Sequence, residues 1–175
     1  MGGIETVERD FTSPFDPHVA EGNVLEVGDQ VAARGLGLPT LSAATQARLR
    51  ALIPDFGGVG NPVDITAVAL RRAGMVSDVL DIVRSSGEVD LVLLQLSTNA
   101  DPAASTMAEE IIAMGTRGGP PLLVGRFGDA GLAPRAMAHY AAADVHVFTW
   151  PEQLVDAAHA LVACGRMPAR PVEAG

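Results

Sequence analysis

VDLVLLQL, at residues 89–96, is the stretch of sequence that decides the fold class. Its apolar residues follow one another almost without interruption, whereas a strand with one solvated face alternates apolar and polar residues. Continuous apolar character is typical of a strand buried on both faces, within a parallel sheet whose connections are helices. We therefore predict a central strand here, covered by helices on each side.

Helix and strand patterns alternate along the chain around this strand. Val76, Val79, Leu80 and Val83 have the i, i+3, i+4, i+7 spacing of an inner helical face. Further short strands are predicted at residues 62–65, 121–124 and 145–148. Two further helices are predicted before the helix at residues 76–83, from Asn23 to a cap at Gly35 and from an N-cap at Ser42 to about Ile53. A helix is predicted after an N-cap at Asp101, with Pro102 as first helical residue, and another over residues 132–142. The last predicted helix begins at Pro151 and has Leu154, Ala158, Leu161 and Val162 inward. The alternation predicts an α/β protein with a doubly wound parallel sheet.

The two ends of the chain do not share this pattern. Residues 1–20 mix charge and apolar character without a period, and Pro14, Asp16 and Pro17 disfavour both helix and strand. We predict an irregular segment at 1–20, one domain at 21–165 and a flexible tail at 166–175.

Composition excludes several functions. The formal net charge is −9, and all twelve basic residues are arginines, so a P-loop lysine, a Schiff-base lysine and a lysine general base are impossible on this chain. An acidic surface also disfavours nucleic acid as a partner. The single cysteine, Cys164, excludes an internal disulfide, and the sequence has neither a membrane-spanning apolar run nor a secretory signal. These features predict a cytoplasmic protein.

Candidate ligand contacts follow the carboxyl ends of the predicted strands, where parallel sheets bind ligands. Ser97, Thr98 and Asn99 precede a helix, so they form either an oxyanion or phosphate cradle or an ordinary turn. Arg126 either pairs with a carboxylate or phosphate or is a solvated loop residue. Thr66 ends another strand. Gly125, Ala67 and Thr149 occupy equivalent positions.

Reactive side chains are scarce. The four histidines, His18, His139, His146 and His159, have no second ligand at a metal-binding spacing, so we interpret them as non-catalytic and predict no metal site. Cys164 is interpreted as a small hydrophobic residue rather than a nucleophile. No catalytic residue is assigned.

From about residue 21 to residue 163, the order of these signals resembles the NDP-forming acyl-CoA synthetase family, best known for ADP-forming acetate–CoA ligase. The matching segments are residues 32–39 (AARGLGLP) with Leu41, Ser42 and Thr45, residues 49–54 (LRALIP), residues 60–66 (GNPVDIT), residues 89–93 (VDLVL) and residues 147–152 (VFTWPE).

The resemblance implies a flavodoxin-like ligase-CoA domain that helps to wall the site where phosphate, acyl group and histidine meet. It implies CoA, ATP or ADP, and Mg²⁺ in the complete enzyme, none held firmly by this chain. It also implies partner chains with a CoA-binding domain, a phosphohistidine domain and an ATP-grasp module. Among the matching residues, Asn61 and Asp64 would contact the phosphate or acyl group, although Asp64 serves equally well as a backbone hydrogen-bond acceptor.

Two departures from the family pattern limit what the chain does alone. The phosphohistidine motif Ser-His-Thr-Gly is absent, as are a CoA-binding glycine fingerprint and an ATP-grasp region. Residues 11–23, with two prolines, hold the place of the family's first strand, and only Gly22 and Asn23 remain of its glycine turn. Either the N-terminal segment substitutes for that strand, or the gene product is truncated or rearranged.

Three functional hypotheses therefore remain. The first is an accessory domain or subunit of an NDP-forming acyl-CoA ligase, inactive alone. The second is a non-enzymatic binding or assembly module, which includes a degenerate gene product. The third, a flavodoxin proper, depends on Trp150 and Tyr140 as the bulky surfaces available for stacking a flavin.

Overall fold

The computed structural model describes residues 2–5, 22–66, 72–97 and 99–165, and it describes side chains within 27–66, 72–97 and 99–165. The elements in chain order are β1 (Gly2–Glu5), α1 (Gly22–Ala33), α2 (Ala43–Arg50), β2 (Val63–Asp64), α3 (Met75–Arg84), β3 (Val92–Leu96), α4 (Ala103–Gly115), β4 (Leu122–Arg126), α5 (Pro134–Ala142), β5 (Val147–Phe148) and α6 (Pro151–Gly165). A short 3₁₀ turn, Ala130–Leu132, precedes α5.

The strands form one sheet in the order β2-β1-β3-β4-β5. Strands β3, β4 and β5 are parallel, whereas β1 is antiparallel to both β2 and β3. It follows that β2 runs in the direction of β3 and that β1 alone is reversed. The strand order is compatible with a flavodoxin-like fold.

Strand β1 corrects two predictions made from the sequence. The sheet is not wholly parallel, and Gly2–Glu5 is extended rather than irregular, which bears out the alternative that the N-terminal segment substitutes for the family's first strand. Without a strand in this place, β2 and β3 would each present an unpaired row of backbone N–H and C=O groups. Backbone pairing does not require a side-chain pattern, so the Gly-Gly-Ile-Glu segment can occupy this position. It does so in the reverse direction.

Two apolar clusters cover the two faces of the sheet. Val76, Val79, Leu80 and Val83 of α3 belong to one cluster with Leu94, and all five are at most 2% exposed. Leu93 belongs to the other cluster, with residues of α1 and α6. Consecutive residues of a strand point to opposite faces, so the burial of all five residues of β3 confirms the prediction of a strand covered on both sides.

Helix ends follow the sequence at most positions. Ser42 is the N-cap of α2, and its hydroxyl accepts a hydrogen bond from the Thr45 N–H at 3.3 Å. Gly35 follows α1 with φ of 69°, a left-handed conformation that glycine adopts without a Cβ clash. Both predicted caps are confirmed.

Two predictions about α4 and α6 are wrong. Pro102, not Asp101, occupies the N-cap position of α4, because the Asp101 carboxylate bonds to Ser105 and to the backbone of α5 instead. Leu161 of α6 is 45% exposed, because the buried stripe of α6 passes through Val155 and Ala158 and leaves Leu161 at its edge. Cys164, in the last turn of the same helix, is exposed, which does not test whether it is a nucleophile.

Several predictions fall outside the described residues: the irregular character of 6–21, the tail at 166–175, and His18 and Ala67. In the described part of the chain, none of the helices combines the length and the apolar character that a bilayer crossing requires.

Candidate functional site

The carboxyl edge of the sheet collects the predicted ligand contacts. Asp64, Gly3, Gln95, Gly125 and Phe148 are paired in register across the five strands. Residues that follow this row in β2, β3, β4 and β5 therefore lie at one edge, which we call the carboxyl edge. The predicted residues brought together there are Thr66, Ser97, Asn99, Arg126 and Thr149, while Thr98 lies outside the described residues.

Helix α1 also begins at this edge. Val31, near its end, lines a cavity with Val89 and Leu91, which precede β3 at the opposite edge of the sheet. A helix of 12 residues is about 18 Å long, so Gly22 and Asn23 lie near the carboxyl edge. Their position agrees with that of the glycine turn in the family that the sequence resembles, although their side-chain contacts are not described.

Asp64 and Asn61 have backbone partners. The Asp64 carboxylate accepts the Thr66 N–H at 2.8 Å, an arrangement that accompanies the left-handed Thr66 (φ 56°). The Asn61 side chain donates its N–H to the Pro39 carbonyl at 2.6 Å. This bond joins the two most distinctive sequence segments, residues 35–39 and 60–66, so both residues have structural roles.

Gly57 lies beneath the same turn. A Cβ at this position would be 2.6 Å from the Asp64 carbonyl oxygen and 2.6 Å from Cγ2 of Ile53. Only glycine permits this approach, which holds the backbone of β2 against the end of α2. The packing explains why a short, two-residue strand has a defined position in the sheet.

Arg126 is buried, so the prediction that it is a solvated loop residue is wrong. Its side chain is 2% exposed; Nη2 donates to the Asn99 carbonyl at 2.6 Å and Nη1 to the Asp129 carbonyl at 3.3 Å. Arg126 therefore connects the loop after β3 to the loop after β4. In the described part of the chain, its Nε–H is buried and has no hydrogen-bond partner.

Tyr140 of α5 is within electrostatic range of the Arg126 guanidinium. Burial raises the pKa of Tyr140 well above its ordinary value of 10, and the nearby Arg126 guanidinium acts in the opposite direction. The Tyr140 hydroxyl is buried without a hydrogen-bond partner among the described residues. Sequence reasoning missed this neighbour of Arg126, because nothing in the residue spacing relates an α5 side chain to the end of β4.

Asp101 connects α4 to α5. Its carboxylate accepts the Ser105 hydroxyl at 2.5 Å and the Arg135 N–H at 2.8 Å. The bond from Ser105 is the main reason that the pKa of Asp101 lies below its usual 3.8, while desolvation acts against it. The carboxylate thus joins α4 to α5, and the ion pairs found among the described residues do not include one between Asp101 and Arg126.

A cavity lies away from the carboxyl edge. It has a volume of about 440 Å³ and is lined by Leu36, Leu38 and Pro39, together with Val89 and Leu91. Glu88 at its rim accepts hydrogen bonds from the Thr45 hydroxyl at 2.5 Å and from Ser42, and the Thr45 bond is the largest cause of its lowered pKa.

Reactive groups are sparse in the described ranges. No cluster of three or more His, Cys, Asp or Glu residues that could hold a metal ion is found there. His139 lies 3.6 Å from Glu109, and the His146 ring packs edge-on against Phe148. Tyr140 is buried and Trp150 is 64% exposed, so Tyr140 cannot provide the stacking surface that the flavodoxin hypothesis needs.

Comparison with solved structures identifies similar folds. PH0766 from Pyrococcus horikoshii OT3 matches with a TM-score of 0.70 and 24% identity, over 81% of this chain and 33% of that one. The dinucleotide forming acetyl-coenzyme A synthetase 1 of Ca. Korarchaeum cryptofilum matches with a TM-score of 0.67 and 20% identity, over 84% of this chain and 32% of that one. The same synthetase in complex with phosphate and ADP matches equally well.

These similarities establish a shared fold over about a third of each neighbour's length. No protein-family model matches the sequence, and no curated protein matches it. The similarity to part of an acetyl-coenzyme A synthetase agrees with the resemblance found in the sequence.

Proposed function

We propose that this chain is one domain of an NDP-forming acyl-CoA ligase, a class that couples an acyl-CoA thioester to ATP and ADP, and that it is incomplete alone. The observation that carries the proposal is the fold shared with one third of the Korarchaeum synthetase, by a chain whose series of motifs resembles the NDP-forming acyl-CoA synthetase family. In this proposal the carboxyl edge walls the reaction site, and the reactive groups come from other domains.

The described residues fit an oxyanion better than they fit a nucleotide or Mg²⁺. The chain has no lysine for a nucleotide phosphate, and no carboxylate cluster for a metal ion is found in its described ranges. Arg126 is instead a buried cation beside the loop that precedes α4. CoA, the nucleotide, Mg²⁺ and the phosphohistidine would accordingly be held by partner chains.

The predicted contacts divide into two groups under this proposal. Ser97, Asn99 and Arg126, with Gly22 near the start of α1, remain at the edge that would face the acyl or phosphoryl group. Asn61 and Asp64 instead support the turn that positions Thr66. The chain would shape and orient the site without contributing a nucleophile or a general base.

Complementation tests the proposal. The matched third of the Korarchaeum synthetase would be deleted, and the remainder, with an ATP-grasp module, mixed with this chain. ATP formation from acetyl-CoA, ADP and phosphate is then measured. We expect turnover in the mixture and none from either component. Enzymatic turnover by the isolated chain, or no gain in any mixture, would contradict the proposal, and the latter favours an assembly module.

Two variants show whether the carboxyl edge is responsible for the turnover gained in the mixture. Asn99→Ala removes a polar side chain at that edge, and we expect it to reduce complemented turnover about tenfold or more while leaving the melting temperature unchanged. Arg48→Met, on the exposed face of α2, is the matched control and should complement like the wild type. Equal turnover by both variants would place the functional surface elsewhere.

A further inference from the structure

Two buried arginines of this chain differ in how completely they are bonded. Arg84, at the end of α3, donates Nε to the Pro120 carbonyl at 3.0 Å, Nη2 to the Arg117 carbonyl at 3.1 Å, and Nη1 to the Met114 carbonyl. Each of its three nitrogens has an acceptor. Arg84 is therefore a satisfied structural residue.

Arg126 is more deeply buried and less completely bonded. It is 2% exposed against 8% for Arg84, yet Nη1 has a long contact of 3.3 Å and Nε has no acceptor in the described part of the chain. The ion pairs found among the described residues involve other cations. A buried guanidinium with neither a counter-charge nor a full set of acceptors is costly unless a ligand completes it.

A second unpaired group lies nearby. The Tyr140 hydroxyl is buried and lacks a partner, and it stays protonated at neutral pH because burial raises its pKa. The Tyr140 oxygen can accept an N–H, but a guanidinium has no acceptor for the phenolic hydrogen, so Arg126 cannot satisfy the Tyr140 donor. Both would be satisfied by one group that carries several acceptor oxygens and a negative charge.

The geometry points to a buried oxyanion site in which Arg126 Nε and the Tyr140 hydroxyl bind a phosphate or a carboxylate. The inference deepens the proposed function, on which its place in the ligase reaction rests. Phosphate and carboxylate share the required chemistry, since each offers charge-bearing oxygens that accept short hydrogen bonds from a guanidinium.

Access to this site requires the loop after β4 to open. Residues 128–132 are exposed, and the Asp129 carbonyl accepts the longer of the two Arg126 bonds. Gly128 has φ of 114°, a conformation that side-chain-bearing residues rarely adopt. Release of the Asp129 carbonyl would free Nη1, while the shorter bond to the Asn99 carbonyl would keep the guanidinium in place.

Nuclear magnetic resonance on the wild-type chain tests the site directly. The arginine Nε–H resonances are followed during titration with inorganic phosphate or with acetate, against chloride at equal ionic strength. We expect a saturable shift of the Arg126 resonance and none of the Arg84 resonance. A response to phosphate alone assigns a phosphoryl ligand, and a response to acetate alone assigns an acyl carboxylate. No shift of Arg126, as a trapped water would give, or equal shifts of both arginines would overturn the inference.

A matched pair of variants adds an affinity measurement. Tyr140→Phe keeps the ring and removes the hydroxyl, so the affinity for the oxyanion should fall about tenfold or more. Arg48→Met removes an exposed positive charge and should leave the affinity unchanged. Wild-type affinity in Tyr140→Phe would overturn the paired site. Anion binding without complementation contradicts the proposed function alone, and complementation without anion binding contradicts this inference alone.

Discussion

Replacing Arg84 by methionine tests whether a single buried guanidinium holds the junction of α3, α4 and β4. Arg84 donates to carbonyls at the end of α4 and in the loop that leads to β4. Arg84→Met keeps a long apolar stem and removes every one of these bonds. We expect the free energy of unfolding to fall without any change of fold.

The magnitude follows from the carbonyls that lose their donor. The Met114 carbonyl also accepts the Arg117 N–H at 3.2 Å, so it remains bonded. The Arg117 and Pro120 carbonyls lose the bonds described here, at about 1–3 kcal/mol each, and release of a desolvated guanidinium offsets part of that loss. The net destabilisation is about 3 kcal/mol, which lowers the melting temperature of a domain of this size by about 6–12 °C.

Urea unfolding followed by far-ultraviolet circular dichroism gives the free energy directly. Arg84→Lys keeps one donor group and should be intermediate, because an ammonium cannot reach three carbonyls in the geometry of a guanidinium fork. Arg48→Met is the surface control and should lie within about 0.5 kcal/mol of the wild type. If Arg84→Met is as stable as Arg48→Met, the three bonds do not stabilise the junction and the reasoning is refuted.

Three further substitutions probe the supports of the sheet. Gly57→Ala places a Cβ 2.6 Å from backbone oxygen and should cost about 2 kcal/mol or more in thermal unfolding, whereas Gly60→Ala, with nothing within 4 Å, should be neutral; equal stabilities would contradict the packing argument. Asn61→Ala should cost about 1 kcal/mol through the lost Pro39 bond, and unchanged urea and complementation results would remove any role for that side chain. The pKa of Glu88 lies below 4.5, so its stabilising contribution is present above that pH and is lost as the pH falls through the lower folded-state value. Glu88→Gln should therefore be less stable than the wild type at pH 7 and converge with it in acid, and a stability difference that is constant with pH would exclude the carboxylate as its source.

Burial on both faces made most of the fold predictable. The inner residues of α3 and the apolar run of β3 follow a period that depends only on local sequence, and the structure confirms both. The caps at Ser42 and Gly35 were predictable for the same reason, since capping chemistry extends over a few neighbouring residues.

Features that depend on distant residues could not be predicted. The N-terminal segment was expected to replace the first strand only as one of two alternatives, and the bounds and reversed direction of β1 could not be predicted, because a Gly-Gly segment carries no apolar period. The carboxylate of Asp101 has the right spacing for an N-cap, yet Ser105 and the backbone of Arg135 compete for it. Leu161 lies at the edge of the contact surface of α6, where helical periodicity cannot distinguish buried from exposed positions.

The candidate site was predictable by position but not by role. Sequence reasoning placed Arg126, Ser97 and Asn99 at the ends of strands, and the strand register agrees with that placement. It did not indicate that Arg126 is buried, that Asn99 bonds to it through a backbone carbonyl, or that Tyr140 lies nearby. Each of these depends on how α5 packs against the end of β4.

The reversed direction of β1 determines where the chain can be extended without obstructing the site. Gly2 is paired with Leu96, so a purification tag joined ahead of Gly2 would leave the sheet at the carboxyl edge, beside the loops that hold Arg126. Helix α6 ends near the opposite edge, where Val162 borders the cavity of about 440 Å³. Tags, fluorophores and surface tethers for the binding and complementation assays are therefore better attached beyond α6.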